Sequence, residues 1–287
     1  MRDVSYPPII LTARTAFRVL GLRFQMTGTE HVPRTGPALL AVNHIGYLDF
    51  VFGGFAAHPS KRLVRFMAKK EIFDHRIGGP VMRSMHHIEV DRGEGLGSYQ
   101  EGLRYLGLGE VVGIFPEATI SRSFEIKELK TGAVRMAADA GVPLIPVVLW
   151  GTQRMFTKDH PKDFSRGKTI SISVGRPLHP SGADPVGETA ELRAAMAGLL
   201  DRTIRAYPSD EQPLGSWWLP ASYGGSAPTP EEAKELDAAE LRRRAERRAQ
   251  RVAARTAQKT TQKGSGGATD GTPRPPDRAP ADPGDQD

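Results

Sequence analysis

The chain has 287 residues, enough for one sizeable domain or two small ones, with 39 Lys+Arg against 33 Asp+Glu and a formal net charge of +6. The absence of cysteine excludes a disulfide scaffold, a thiolate metal site and a cysteine nucleophile. No stretch reaches the roughly 18 apolar residues of a spanning helix, and the patch Ile9–Leu11 soon meets Arg14 and Arg18, unlike a secretory signal; the basic balance then asks for an anionic partner, whether nucleic acid, a phosphorylated metabolite or a membrane surface.

In chain order, apolar residues at 10, 13, 17, 20 and 24 predict an amphipathic helix over Ile9–Phe24, within an N-terminal segment 1–27. Its stripe (Ile10, Ala13, Phe17, Leu20, Phe24) beside Arg14, Arg18 and Arg23 has the make-up of an interfacial helix; packing on a core is the competing expectation. Gly36-Pro37 introduces a buried strand at Ala38–Val42, followed by a helix over Tyr47–Ala57 and a strand at Leu63–Ala68. Strands at Ile88–Val90 and Val111–Phe115 enclose a helix from about Gly97 to Leu108. A helix over Lys130–Ala140 is closed by Gly141, a C-cap signal. Strands at Pro143–Leu149 and Thr169–Val174 precede a last amphipathic helix, Thr189–Ala206. This alternation predicts an α/β fold, a mixed sheet flanked by helices, in a domain over 28–223 with its site at strand ends. Residues 224–263 form a charged linker and helix, rich in helix formers and poor in large apolar residues. From Gly264 the Gly/Pro/Asp-rich text predicts a disordered tail, 264–287.

Three clusters carry chemistry. Asn43-His44-Ile45-Gly46-Tyr47-Leu48-Asp49 lies where a buried strand gives way to a helix. On one regular helix His44 and Asp49 would stand about 140° apart, so they meet only if His44 occupies the turn and Asp49 reaches back from the first helical turn. A carboxylate on one imidazole nitrogen leaves the other free as a base; a helix-capping Asp beside a surface His is the plainer alternative. The second cluster is Val111–Arg122, where an apolar strand runs into Pro116-Glu117 and then Thr119, Ser121 and Arg122. The third is Val90-Asp91-Arg92, a guanidinium at a strand end, suited to bidentate phosphate recognition or to an ordinary surface pair.

HxxxxD after a strand, then strand-DR, then strand-FPE-x-T, then Val142-Pro143-Leu144-Ile145-Pro146-Val147 resembles the four blocks of the 1-acylglycerol-3-phosphate acyltransferase family, over roughly Gly28 to Arg176. The resemblance implies acyl transfer from acyl-CoA or acyl carrier protein to the free hydroxyl of a lysophospholipid, with lysophosphatidic acid the first candidate and phosphatidic acid the product. His44 would be the general base and Asp49 its orienting partner, with no bound cofactor, no metal and no covalent acyl-enzyme. Asn43, Arg92, Glu117, Thr119 and Arg122 would line the acceptor site. It also implies a cytoplasmic protein, peripheral on the inner face of the cell membrane.

The chain departs from the pattern at four places. Ala118 and Ile120 stand for the Gly and Arg of FPEGTR, and His86 and Glu89 for the Gly and Phe of the second block, so a different lipid alcohol remains an alternative acceptor. A thioesterase and a non-catalytic lipid-binding adaptor are the rivals from other classes. Lys61, Arg62, Arg65, Lys69 and Lys70 form a cluster fit for CoA phosphates or anionic lipid, or else a solvated edge. Trp217-Trp218 fits either a membrane interface or packing over the core. The Arg-rich stretch 242–255 lacks stacking aromatics, and no nucleic-acid partner is expected.

Overall fold

The computed structural model describes residues 6–76, 78–91 and 95–265, with side chains to Gln250. Candidate Arg92 lies outside the described residues, as does the tail from residue 266. The chain divides into two units, Met1–Ala233 and Lys234–Asp287.

The first unit is built on a seven-stranded sheet. Its strands are β1 (Arg23–Thr27), β2 (Ala38–Val42), β3 (Val64–Lys69), β4 (Ile88–Val90), β5 (Val111–Ile114), β6 (Leu144–Trp150) and β7 (Thr169–Val174), in the spatial order β1-β7-β6-β2-β5-β3-β4. Every neighbouring pair is parallel except β6 with β7. The helices are α1 (Tyr6–Val19), α2 (Asp49–Phe55), α3 (Lys70–Phe73), α4 (Gly78–Ser84), α5 (Gly95–Gly107), α6 (Gly132–Ala140), α7 (Pro185–Ala206) and α8 (Pro230–Ser265).

The central strands are unbroken apolar runs because both faces are covered. Every residue of β2 and β6 is buried. Successive side chains leave a strand on opposite faces. Leu39 and Ala41 accordingly join Val112, Leu144 and Val148 under residues of α5, α6 and α7, among them Leu106, Met136 and Met196. Leu40 and Val42 join Val111, Ile145 and Val147 under Phe52 of α2 and Phe17 of α1.

The N-terminal segment differs from expectation. α1 stops at Val19, Gly21 turns the chain at a φ of 58°, and Arg23–Thr27 is an edge strand parallel to β7 rather than more helix. Phe24 continued the helical spacing by coincidence. The apolar stripe is spent internally: the Phe17 ring stacks on Phe52 at 5.1 Å and lies 5.0 Å from Phe55, and Tyr6 Oη donates to the Val64 carbonyl at 2.7 Å. Packing on the core engages Phe17, Leu20 and Phe24 on one cluster and Ile10 on another, each partly buried. Trp217 and Trp218 resolve the same way. Trp217 stacks on His160 at 3.8 Å, and buried Trp218 sits against Trp150 and Tyr207.

α8 opens with a reciprocal cap: Thr229 N–H donates to Glu232 Oε2 at 2.8 Å, and Glu232 N–H to Thr229 Oγ1 at 3.3 Å. The helix supplies the described part of the second unit, and it carries on through Gly264 and Ser265, where the composition predicted disorder. Among the described residues no helix is long and apolar enough to cross a membrane.

Candidate active site

β2, in the middle of the sheet, delivers the chain to the site. At its end Asn43 is fully buried and clasps β6: Leu149 N–H donates to Asn43 Oδ1 at 2.7 Å, and Asn43 Nδ2 donates to the Leu149 carbonyl at 3.1 Å. Both of these bonds tie the side chain to the backbone of β6, and they fix where His44 begins.

His44 lies in the turn and Asp49 is the first residue of α2, so the carboxylate reaches back. His44 Nδ1 lies 3.0 Å from Asp49 Oδ2, which also accepts the amides of Ile45 and Gly46 at 2.7 Å each. Asp49 Oδ1 accepts from Thr152 Oγ1 at 2.7 Å. An ionised carboxylate only accepts, so this contact puts the imidazole proton on Nδ1 and leaves Nε2 with its lone pair. Asp49 is fully buried, whereas the His44 side chain keeps 21% of its surface exposed and stacks on Phe115 at 4.3 Å. The turn favours Gly46, because a Cβ there would stand 3.0 Å from the Phe156 carbonyl oxygen, tighter than ordinary contact.

The loop after β6 supports this turn from the far side. Thr152 holds Asp49, Tyr47 N–H donates to the Phe156 carbonyl at 2.9 Å, and Thr157 Oγ1 donates to the Ile45 carbonyl at 2.6 Å. Sequence reasoning missed Thr152 and Thr157, 103 and 112 positions from the residues they hold; their hydroxyls carry no spacing signal.

The loop after β5 supplies the third wall. Glu117 is buried, and its two oxygens accept the amides of His44 at 2.9 Å and Lys127 at 3.3 Å. Burial pushes its carboxyl up to about 8 against the opposing pull of those amides. These two bonds make it a brace for the His44 backbone. Ser121 N–H completes the seam by donating to the His44 carbonyl at 2.7 Å. Ala118 occupies the left-handed region at a φ of 59°, a conformation that favours glycine. Thr119 accepts from Lys127 Nζ at 2.8 Å, so Lys127, another residue the sequence did not flag, brings a cation to this loop. Ile120 is buried, and Arg122, also buried, donates through Nε to Asp159 at 2.6 Å.

The five-residue basic cluster does not form one surface. Arg62 donates to the carbonyls of Pro33, Gly36 and Gly109, strapping loops together. Arg65 is buried, bonded to the Met85 carbonyl and 3.3 Å from Glu110, and its guanidinium lies over the Tyr6 ring. Lys70 pairs with Glu89 at 3.0 Å. Lys61 is exposed and Lys69 half-buried.

The site is thus a buried strand that ends in a braced His–Asp turn, and comparison with known proteins gives the class. Residues 23–150 match the model of the family described as Acyltransferase. The 1-acyl-sn-glycerol-3-phosphate acyltransferase of Bacillus subtilis is 30% identical over 190 residues, covering 65% of this chain and 90% of that protein. The one from Limnanthes douglasii is 27% identical over 202 residues, covering 69% and 68%. The crystal structure of the 1-acyl-sn-glycerophosphate (LPA) acyltransferase PlsC from Thermotoga maritima shares the fold with a TM-score of 0.56 at 21% identity, over 68% of this chain and 77% of that one. The chain belongs to the 1-acyl-sn-glycerol-3-phosphate acyltransferase family and is an O-acyltransferase.

Proposed function

We propose that the enzyme acts in phospholipid synthesis, moving a fatty acyl group from a thioester of CoA or acyl carrier protein to the free hydroxyl of 1-acylglycerol-3-phosphate and giving phosphatidic acid. The observation that carries this is the His44–Asp49 contact at the end of the central strand, in a chain whose relatives bear that name. His44 Nε2 takes the hydroxyl proton as the acceptor oxygen attacks the thioester carbonyl. The C–S bond then breaks, and the departing sulfur takes the proton back from the imidazolium as a thiol. Asp49 holds the ring and offsets its transient charge; a positioned base of this kind contributes typically about 10²–10⁴-fold. Apposing this chemistry to a cytoplasmic membrane face suits an enzyme whose acceptor is a lipid.

A second acceptor is favoured by one observation. Ile120 stands buried where the family places an arginine, and the neighbouring Arg122 is engaged with Asp159. A lipid alcohol with a smaller or uncharged head group fits that loop without a second guanidinium. The test is an acceptor screen with purified protein and labelled oleoyl-CoA, products identified by mass spectrometry. Acylated 1-acylglycerol-3-phosphate is expected, with nearly all transfer lost in His44→Ala and a severe but smaller loss in Asp49→Asn. Free fatty acid as the main product would make the protein a thioesterase, and wild-type turnover by His44→Ala would end the proposed mechanism.

A further inference from the structure

The basicity of this chain is not spread over it. Residues 242–263 contain nine Lys/Arg (Arg242, Arg243, Arg244, Arg247, Arg248, Arg251, Arg255, Lys259, Lys263) and one acid, Glu246, a net +8 against +6 for the whole chain. Everything outside that segment is therefore net −2. The preceding part of α8 has the opposite sign, with Glu231, Glu232, Glu235, Asp237 and Glu240 against Lys234. Residues 241–250 are all exposed, and the segment carries no aromatic residue and, past Leu241, only Val252 as a larger apolar one. A stretch of helix with no apolar face and nearly one sign of charge gains little from packing and pays in self-repulsion.

We propose that α8 residues 242–263 are a docking surface for an anionic bilayer. The choice of a bilayer rests on the proposed function, because the acceptor and product of that reaction both reside in one. Several other features suited to such a surface are committed within the first unit: Phe17 of the α1 stripe to Phe52 and Phe55, the tryptophans to the core, Arg62 and Arg65 to carbonyls and Glu110. Complementarity of charge makes the partner a sheet of lipid phosphates. With no apolar face to insert, the attachment is electrostatic, and it dissolves in salt once the Debye length falls well below about 8 Å. Juxtamembrane Lys and Arg each add to attraction by an anionic leaflet, which makes a polybasic run far stronger than one residue.

The test uses the full chain and a variant carrying R242Q, R243Q, R244Q, R247Q and R248Q, substitutions on exposed positions that keep good helix formers. Co-sedimentation is measured with vesicles of phosphatidylcholine, with and without one-third phosphatidylglycerol, at low and high salt. The full chain should bind the anionic vesicles at low salt and leave them at high salt, and the variant should bind at least about tenfold more weakly. Equal binding by both proteins, or salt-insensitive binding, overturns the proposal. So does preference for a DNA duplex over the vesicles in direct competition, which would make the helix a nucleic-acid surface. Transfer to detergent-dispersed acceptor is assayed in parallel and should be the same for both. Arginine-dependent vesicle binding by a protein with no transfer activity would uphold the docking surface and end the proposed function.

Discussion

A carboxyl that braces a backbone is sensitive to its own proton. Glu117 has a folded-state value of about 8, raised by burial, against an ordinary 4.5. Between those values the folded protein holds a proton that the unfolded chain has lost, so stability falls as pH rises from about 4.5 to 8. Glu117→Gln keeps an acceptor for the His44 amide and cannot ionise. Its denaturant midpoint should lose that part of the pH dependence, which amounts to a few kcal/mol on the order of the shift, and a pair of denaturation series at pH 5 and 8 checks it. The neighbouring Ala118 has the opposite remedy. A left-handed non-glycine residue costs roughly 1–2 kcal/mol, whereas glycine adds about 0.4–1 kcal/mol of unfolded-state entropy. Ala118→Gly should therefore stabilise by up to about 1 kcal/mol in thermal unfolding. Thr152→Val removes one of the bonds to buried Asp49. A hydrogen bond to a charged group is worth about 1.5–3 kcal/mol, so transfer should fall about tenfold or more, and Thr152→Ser should restore it in the same assay.

The elements show which parts of this protein were legible and why. Strands such as β2, β5 and β7 announced themselves because both faces are buried and their text is continuously apolar or alternating. The order HxxxxD, DR, FPE and VPLIPV pointed to these loops, since the first three blocks follow the ends of β2, β4 and β5 and the fourth begins β6. β1 was not legible: Arg23, Gln25 and Thr27 alternate with Phe24 and Met26 on an exposed edge, and five such residues after a helix look like its continuation. Roles within the site were harder still. Asn43 and Glu117 have side chains that could serve a ligand, and only their distances to Leu149, His44 and Lys127 show them bound to backbone. Asn43→Ala should cost about 2–5 kcal/mol, because it strands a buried amide and carbonyl of Leu149 at about 1–3 kcal/mol each; chemical denaturation measures it. Phe17→Ala should likewise destabilise, by about 1–3 kcal/mol for a half-buried ring, which a surface-bound α1 would not do.

At the scale of the molecule, the stabilising core and the densest run of positive charge lie in different parts of the chain. The apolar clusters that hold the sheet lie within the first 233 residues, among the described residues. Deleting 234–287 should leave the thermal midpoint within about 2 °C of the full chain, since less than about 1 kcal/mol is removed. The same deletion removes twelve Lys/Arg and nine Asp/Glu, half of the net +6, and so takes away the densest run of positive charge while leaving the remaining domain basic.

β1 has one more consequence. Its partner β7 reads Thr-Ile-Ser-Ile-Ser-Val, six residues without charge, proline or glycine, and β1 pairs with all of its length but one residue. Such a segment, once its outer row of amides and carbonyls is uncovered, is a template for pairing with another chain. β1 is thus a guard on an adhesive edge, with Arg23 and its salt bridge to Glu211 at the rim. A chain shortened past Thr27, or a partly unfolded one in which α1 and β1 have peeled away, would expose that edge while the rest of the sheet still stood. Its fate would be self-association through β7, visible as thioflavin-positive aggregates, before it was ever an unfolded monomer.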